Sequence, residues 1–164
     1  MTERAIRPAT PAYGPSIAAL HDEAFGGRDE ARIVEQLSRD GDLLLSWVLA
    51  DDDLIIGHIA FFRILIDGAD AGAGLGPMAV APGHQKRGHG SALVRAGLTA
   101  LTAQNQSIVF VLGHPTFYRT FGFDAARAEP FEAPWSGPAF MAKALRDDAP
   151  ESGALTYPRA FTEP

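Results

Sequence analysis

The sequence predicts a single domain of α/β (α+β) class, and three observations carry that prediction. Apolar runs of strand length recur at Leu43 to Ala50, Leu54 to Ile66 and Ile108 to Leu112. Helical stripes with a 3.6-residue period lie between and before them. A strand–helix–strand unit, Leu75 to Leu112, occupies the middle of the chain, and its connection is expected to be a right-handed parallel crossover.

The elements follow in order. Arg4 to Pro8 reads as a short strand that ends at the turn-prone Pro8-Ala9-Thr10-Pro11. Thr10 and Pro11 look like an N-cap and a first-turn proline, opening a helix through Ile17, Leu20 and Phe25 that Gly26-Gly27 stops. Asp29 to Arg39 is a second helix, with Ile33, Val34 and Leu37 on one face. Leu43 to Ala50 and Leu54 to Ile66 form a hairpin around Asp51-Asp52-Asp53, and the turn Asp67 to Asp70 leads to a strand at Leu75 to Ala81. Gly88 to Ala103 is helical, with an apolar stripe of Leu93, Val94, Leu98 and Leu101. Ile108 to Leu112 has no polar alternation, which is the pattern of a strand buried on both faces. A short helix at Thr116 to Thr120 and strands at Phe123 to Ala125 and Ala139 to Ala144 complete the set. A Pro-rich tail from about residue 146 is expected to lie on the surface or fray at its end, so residues 1–164 form one domain.

Composition narrows the function. The 164 residues are 46% hydrophobic and 21% charged, which supports a packed core. Fourteen Lys and Arg against 20 Asp and Glu give a formal net charge of −6, which argues against a non-specific nucleic-acid binder. The absence of cysteine excludes disulfides, thiolate metal sites and a cysteine nucleophile, and fits a cytoplasmic protein. No run is long and apolar enough to suggest a signal or a membrane segment. The five histidines lack the spacing of a metal motif, and Asp51-Asp52-Asp53 lacks the downstream Gly and Glu of a calcium loop. No metal is expected.

The chemistry concentrates in Met78-Ala79-Val80-Ala81-Pro82-Gly83-His84-Gln85-Lys86-Arg87-Gly88-His89-Gly90-Ser91. A strand ends at Pro82, a glycine-rich loop follows, and a helix begins near Gly88. The unpaired N–H groups of a helix start suit a pyrophosphate, and Gly88 and Gly90 remove side chains that would block its approach. Lys86 and Arg87 reverse the sign of charge locally in an acidic chain. A Walker A loop is rejected because His89 and Gly90 stand where its Lys and Ser/Thr belong. A dinucleotide fingerprint is rejected because Gly72-Ala73-Gly74-Leu75-Gly76 precedes a strand and is followed by Pro77.

Gln85-Lys86-Arg87-Gly88-His89-Gly90 instead resembles the Q/R-x-x-G-x-G/A acetyl-coenzyme A loop of the GNAT superfamily of N-acetyltransferases. Leu75 to Pro82 looks like that family's fourth strand, and Phe117-Tyr118-Arg119-Thr120-Phe121-Gly122-Phe123 resembles its Y-x-x-x-G-F element. Leu112-Gly113-His114-Pro115 before the tyrosine segment is similar to a bacterial subgroup of predicted acetyltransferases, and the element order resembles the family fold over residues 4–145.

The resemblance implies a mixed central sheet of about seven strands, splayed between the fourth and fifth and flanked by about four helices. It implies acetyl-coenzyme A as co-substrate, with pantetheine lying along Met78, Ala79 and Val80 like an added strand. The pyrophosphate would rest on the amides from Gln85 to Ser91, that is Gln85, Lys86, Arg87, Gly88, His89, Gly90 and Ser91. Acetyl would pass directly to a primary amine of a small molecule or peptide, with Tyr118 as general acid toward the departing thiolate. His114 is a candidate base, and Glu23 and Glu30 lie in the helical region that often lines the acceptor site in this family. A homodimer is compatible with the resemblance; nucleic-acid and membrane partners are not implied. The alternative is a non-catalytic coenzyme A-binding sensor or interaction module on the same fold, distinguished by tight cofactor binding without transfer.

Overall fold

The computed structural model describes residues 4–162. The expected hairpin and meander form its framework. Strands β1 (Arg4–Pro8), β2 (Leu43–Asp51), β3 (Leu54–Ile66) and β4 (Ala69–Val80) pair antiparallel in sequence order. Helices α1 (Gly14–Phe25) and α2 (Asp29–Arg39) interrupt the path between β1 and β2. Helix α3 (His89–Ala103) then carries the chain to β5 (Ile108–Leu112), which lies parallel to β4 as the crossover requires. Strand β7 (Phe140–Ala144) closes the main path antiparallel to β5.

The sheet separates two apolar layers. On one face Leu93, Val94, Leu98 and Leu101 of α3 pack on Ile59 and Phe61 of β3. A Cβ on Gly97 would collide with the Phe61 ring, so glycine sets how closely α3 lies on the sheet. The alternate residues of β3 face the other side, where His58 meets α1 and Phe62 joins Leu37 of α2 and Phe110 of β5.

Several expectations change. The sheet has eight strands, not about seven, and the described residues hold six helices, not about four. β4 begins at Ala69, six residues before the expected strand, because its glycines are accommodated by β3: the Phe62 ring crosses Gly74, and Ile66 Cδ1 would sit 3.1 Å from a Cβ on Gly72. Thr10 makes no side-chain cap, and a 3₁₀ turn at Pro11–Tyr13 precedes α1. The strand expected at Phe123 to Ala125 shrinks to a single bridge, Asp124 to Ala142. Asp124 instead caps α5 (Ala125–Ala128), its carboxylate accepting from the Ala126 N–H at 3.0 Å. The short helix α4 spans Pro115–Arg119.

The largest difference is the end of the chain, which does not fray over the described residues. Strand β6 (Phe131–Glu132) pairs with β8 (Gly153–Thr156), and β8 also pairs with β3. Helix α6 (Arg159–Thr162) is held to α2 by Arg159, whose Nε and Nη2 both donate to the Asp40 carboxylate at 2.8 Å. Those bonds, with a further one from Gln36, hold the Asp40 carboxyl down at about 2. The Phe161 ring lies 4.4 Å from that of Phe62.

Candidate active site

The site begins where β4 and β5 part. They are paired only from Ala73 to Leu75, opposite Val109 to Val111. At that point β4 carries a bulge: the register with β3 shifts between Ile59–Met78 and Phe61–Leu75, which leaves Gly76 and Pro77 opposite Ala60. Gly76 takes φ +135°, a backbone setting that L side chains rarely adopt.

Beyond the bulge β4 stays bonded to β3 and leaves its other edge open. The Ala81 N–H donates to Ile56 O at 2.8 Å, so residues 79 and 81 present their peptide groups to β3. Strand alternation then turns the N–H and C=O groups of Met78 and Val80 into the gap. The Val80 carbonyl accepts from Gln85 Nε2 at 3.0 Å, which straps the following loop to the strand. Of the three residues expected to line the gap with backbone, Met78 and Val80 face it and Ala79 faces β3.

The loop brings the rest of the expected cofactor residues together. Lys86 at φ +64° and Gly88 at φ +81° alternate with right-handed or extended neighbours, a sequence of conformations that turns successive N–H groups inward. No side chain caps α3; its first bond runs from the Ala92 N–H to Gly88 O. The N–H groups of His89, Gly90 and Ser91 therefore lack intrahelical acceptors. Val80, Gln85, Lys86, Gly88, Gly90 and Ser91 line a cavity of about 300 Å³ there. Arg87 is exposed on the same loop. A Cβ on Gly90 would lie 3.7 Å from Met78 Cε and 3.8 Å from Phe117 Cζ, so the helix start abuts the open edge. His84 Nδ1 and His89 Nε2 are buried at the loop without hydrogen-bond partners, and burial lowers the His89 pKa.

Phe117 joins this cavity to a second one of about 570 Å³, which occupies the splay itself. Tyr118 and His114 both line it. Tyr118 is buried, with its ring edge-on to Phe117 at 4.9 Å and to Phe123 at 5.8 Å. Burial pushes its hydroxyl up to about 12, so it stays protonated at neutral pH. A Cβ on Gly113 would approach Tyr118 Cδ2 to 3.0 Å, so a glycine at the end of β5 admits the ring. His114 is exposed at the start of α4. Glu30 lines the cavity, whereas Glu23 is exposed and is not part of the lining.

The far wall was not anticipated. Phe25, Phe62, Trp135, Tyr157 and Phe161 complete it, three of them from the stretch expected to close the sheet or trail off. Its sequence signal is the placing of Trp135, Tyr157 and Phe161, large aromatic groups in a segment otherwise rich in turn formers. Among the described residues no group of three or more His, Cys, Asp or Glu could hold a metal ion, and no helix is long and apolar enough to cross a membrane.

Comparison with known proteins agrees with this geometry. The family described as Acetyltransferase (GNAT) domain matches residues 5–126. The chain is 35% identical over 148 residues to Uncharacterized N-acetyltransferase YhbS of Escherichia coli K12, covering 88% of this chain and 89% of the relative. Its fold superposes on the crystal structure of Escherichia coli YhbS in complex with CoA with a TM-score of 0.91, at 32% identity over 99% of this chain and 94% of that one. A GNAT family acetyltransferase from Brucella melitensis, in complex with acetyl-CoA, gives a TM-score of 0.84 at 32% identity, over 97% and 98% of the two chains.

Proposed function

Starting from the fact that the chain belongs to the GNAT acetyltransferase family, we propose that it transfers acetyl from acetyl-coenzyme A directly to a primary amine. The observation that carries the reading is the open edge of β4 running into the uncapped start of α3. Peptide groups of Met78 and Val80 face a gap that continues into the loop cavity. The two similar chains with coenzyme A or acetyl-coenzyme A bound lend it support.

The residues fit such a co-substrate. The N–H groups of His89, Gly90 and Ser91, with the dipole of a 15-residue helix behind them, suit the pyrophosphate. Lys86 and Arg87 add positive charge beside it. Met78 and Val80 offer a strand edge to an extended amide-bearing arm. Acetyl-coenzyme A supplies the activated thioester.

The chain's own groups divide the rest of the work. A backbone N–H of Met78 or Val80 would hold the carbonyl oxygen as it gains charge, an effect worth about 3 kcal/mol. As the acceptor nitrogen bonds to the acyl carbon and the carbon–sulfur bond breaks, the Tyr118 hydroxyl gives its proton to the leaving sulfur. Its raised pKa keeps that proton in place until the sulfur becomes basic. The acceptor's surplus proton leaves through water to Glu30 or His114, the two titratable side chains besides tyrosines that line the cavity among the described residues.

The test is direct. Calorimetry with coenzyme A and a thiol-release assay with acetyl-coenzyme A and an amine panel should show binding and acetylated product. Absence of coenzyme A binding removes the reading. Tight binding without transfer to any amine replaces it with a sensor role.

A further inference from the structure

The wall of the larger cavity also selects among amines. We propose that the acceptor is a monoamine carried on an aromatic or apolar body, an inference that rests on the acetyltransferase reading of the same cavity.

The first observation is the aromatic wall. Phe62 lies 4.4 Å from Phe161 and 5.7 Å from Tyr157, and Trp135 stands edge-on to Tyr157 at 4.7 Å between ring centroids. Phe25, stacked on His21 at 5.8 Å between ring centroids, completes the lining while 47% exposed. The rings of Phe62, Trp135, Tyr157 and Phe161 pack together on the side of the sheet opposite α3, away from the phosphate loop.

The second observation is charge. Among the described residues Glu30 is the only Asp, Glu, Lys or Arg in the lining. An acceptor bearing a carboxylate or phosphate would bring an anion beside Glu30, where the described lining holds no Lys or Arg to neutralise it. A polyamine would place a second ammonium against aromatic rings with no further carboxylate to pair it. One ammonium near the Glu30 carboxylate, on a body that covers the aromatic rings, matches this lining. A volume of about 570 Å³ accommodates a small amine beside the acyl arm.

The experiment compares phenethylamine, tryptamine and hexylamine with phenylalanine, which adds only a carboxylate to the first, and with spermidine. Thiol release is followed with acetyl-coenzyme A, and products are identified by mass. The monoamines should be used with kcat/KM at least tenfold above phenylalanine and spermidine. Glu30→Gln and Phe161→Ala should each lower phenethylamine kcat/KM fivefold or more, leaving the KM for acetyl-coenzyme A within twofold. Quenching of tryptophan fluorescence by phenethylamine, weakened in Phe161→Ala, gives a readout without turnover. Equal or better use of phenylalanine or spermidine overturns the proposal, as does acetyl-coenzyme A binding with no transfer to any of the monoamines. Failure to bind acetyl-coenzyme A removes the underlying reading as well, and calorimetry separates the two cases.

Discussion

His21 of α1 and His58 of β3 meet beneath the sheet's helical cover, His21 Nε2 lying 2.8 Å from His58 Nδ1, with both side chains fully buried. His58 Nε2 is in turn hydrogen-bonded to Ser46 Oγ at 2.8 Å. One ring nitrogen donates to the other across this contact, and both rings are neutral at pH 7. Burial lowers His21 to about 4, against a smaller opposing pull from Asp22, and lowers His58 to about 3, with the neighbouring His21 adding to the effect. In the unfolded chain both titrate near 6.5. As pH falls below 6.5 the unfolded state binds protons that the folded state refuses, so stability is full above that value and declines toward pH 4. Each histidine contributes a slope of up to about 1.4 kcal/mol per pH unit. Denaturant unfolding at pH 8, 7, 6 and 5 should show this fall, and the double variant His21→Leu/His58→Leu should flatten it.

Tyr118→Phe should lower kcat about 100-fold with the KM for acetyl-coenzyme A unchanged, because it removes a proton donor and leaves the buried ring in place. The wild-type rate should show no loss from tyrosine ionisation up to pH 10, given a hydroxyl held near 12. Steady-state kinetics across pH checks both. An unchanged kcat in the variant removes the acid role.

Gly88→Asp should weaken acetyl-coenzyme A binding tenfold or more by calorimetry. It puts a carboxylate at the open mouth of the phosphate cavity, where a Cβ meets nothing within 4 Å, and on a backbone at φ +81°. Retained affinity in a folded variant would contradict the loop's assignment.

Gly97→Ala should destabilise the fold by about 1–3 kcal/mol, the usual cost of overpacking a filled core. The added methyl collides with Phe61, so Phe61→Leu in the same chain should recover part of the loss. A double-mutant cycle by urea unfolding measures the coupling; additive effects would show that α3 shifts away freely.

The elements legible in the sequence are those whose signal is local. The α3 stripe, the hairpin at Asp51 to Asp53 and the apolar β5 run need no distant partner to be read, and they lie within a residue or so of their expected bounds. The early half of β4 was not legible because Gly72 and Gly74 are turn formers in isolation. They become strand residues only where Ile66 and Phe62 cross them. The chain end was illegible for the same reason: β8 exists through pairing with β3 and β6, and α6 through Arg159 and Phe161. At the site, the loop and Tyr118 carry short motifs, and they line two adjoining cavities. The aromatic wall is assembled from four separate stretches of chain, and no single stretch announces it.

The parting of β4 from β5 leaves the sheet one strand short at its centre, not at its rim. A molecule lying there would complete a folded element as well as react, and its binding free energy would add to the fold's own. At a concentration 100-fold above its dissociation constant it would contribute about 2.7 kcal/mol to stability. Amide exchange at Met78 and Val80 would slow with it. Melting temperature thus becomes a measure of occupancy, and a library of acyl donors can be ranked by heat before any product is assayed.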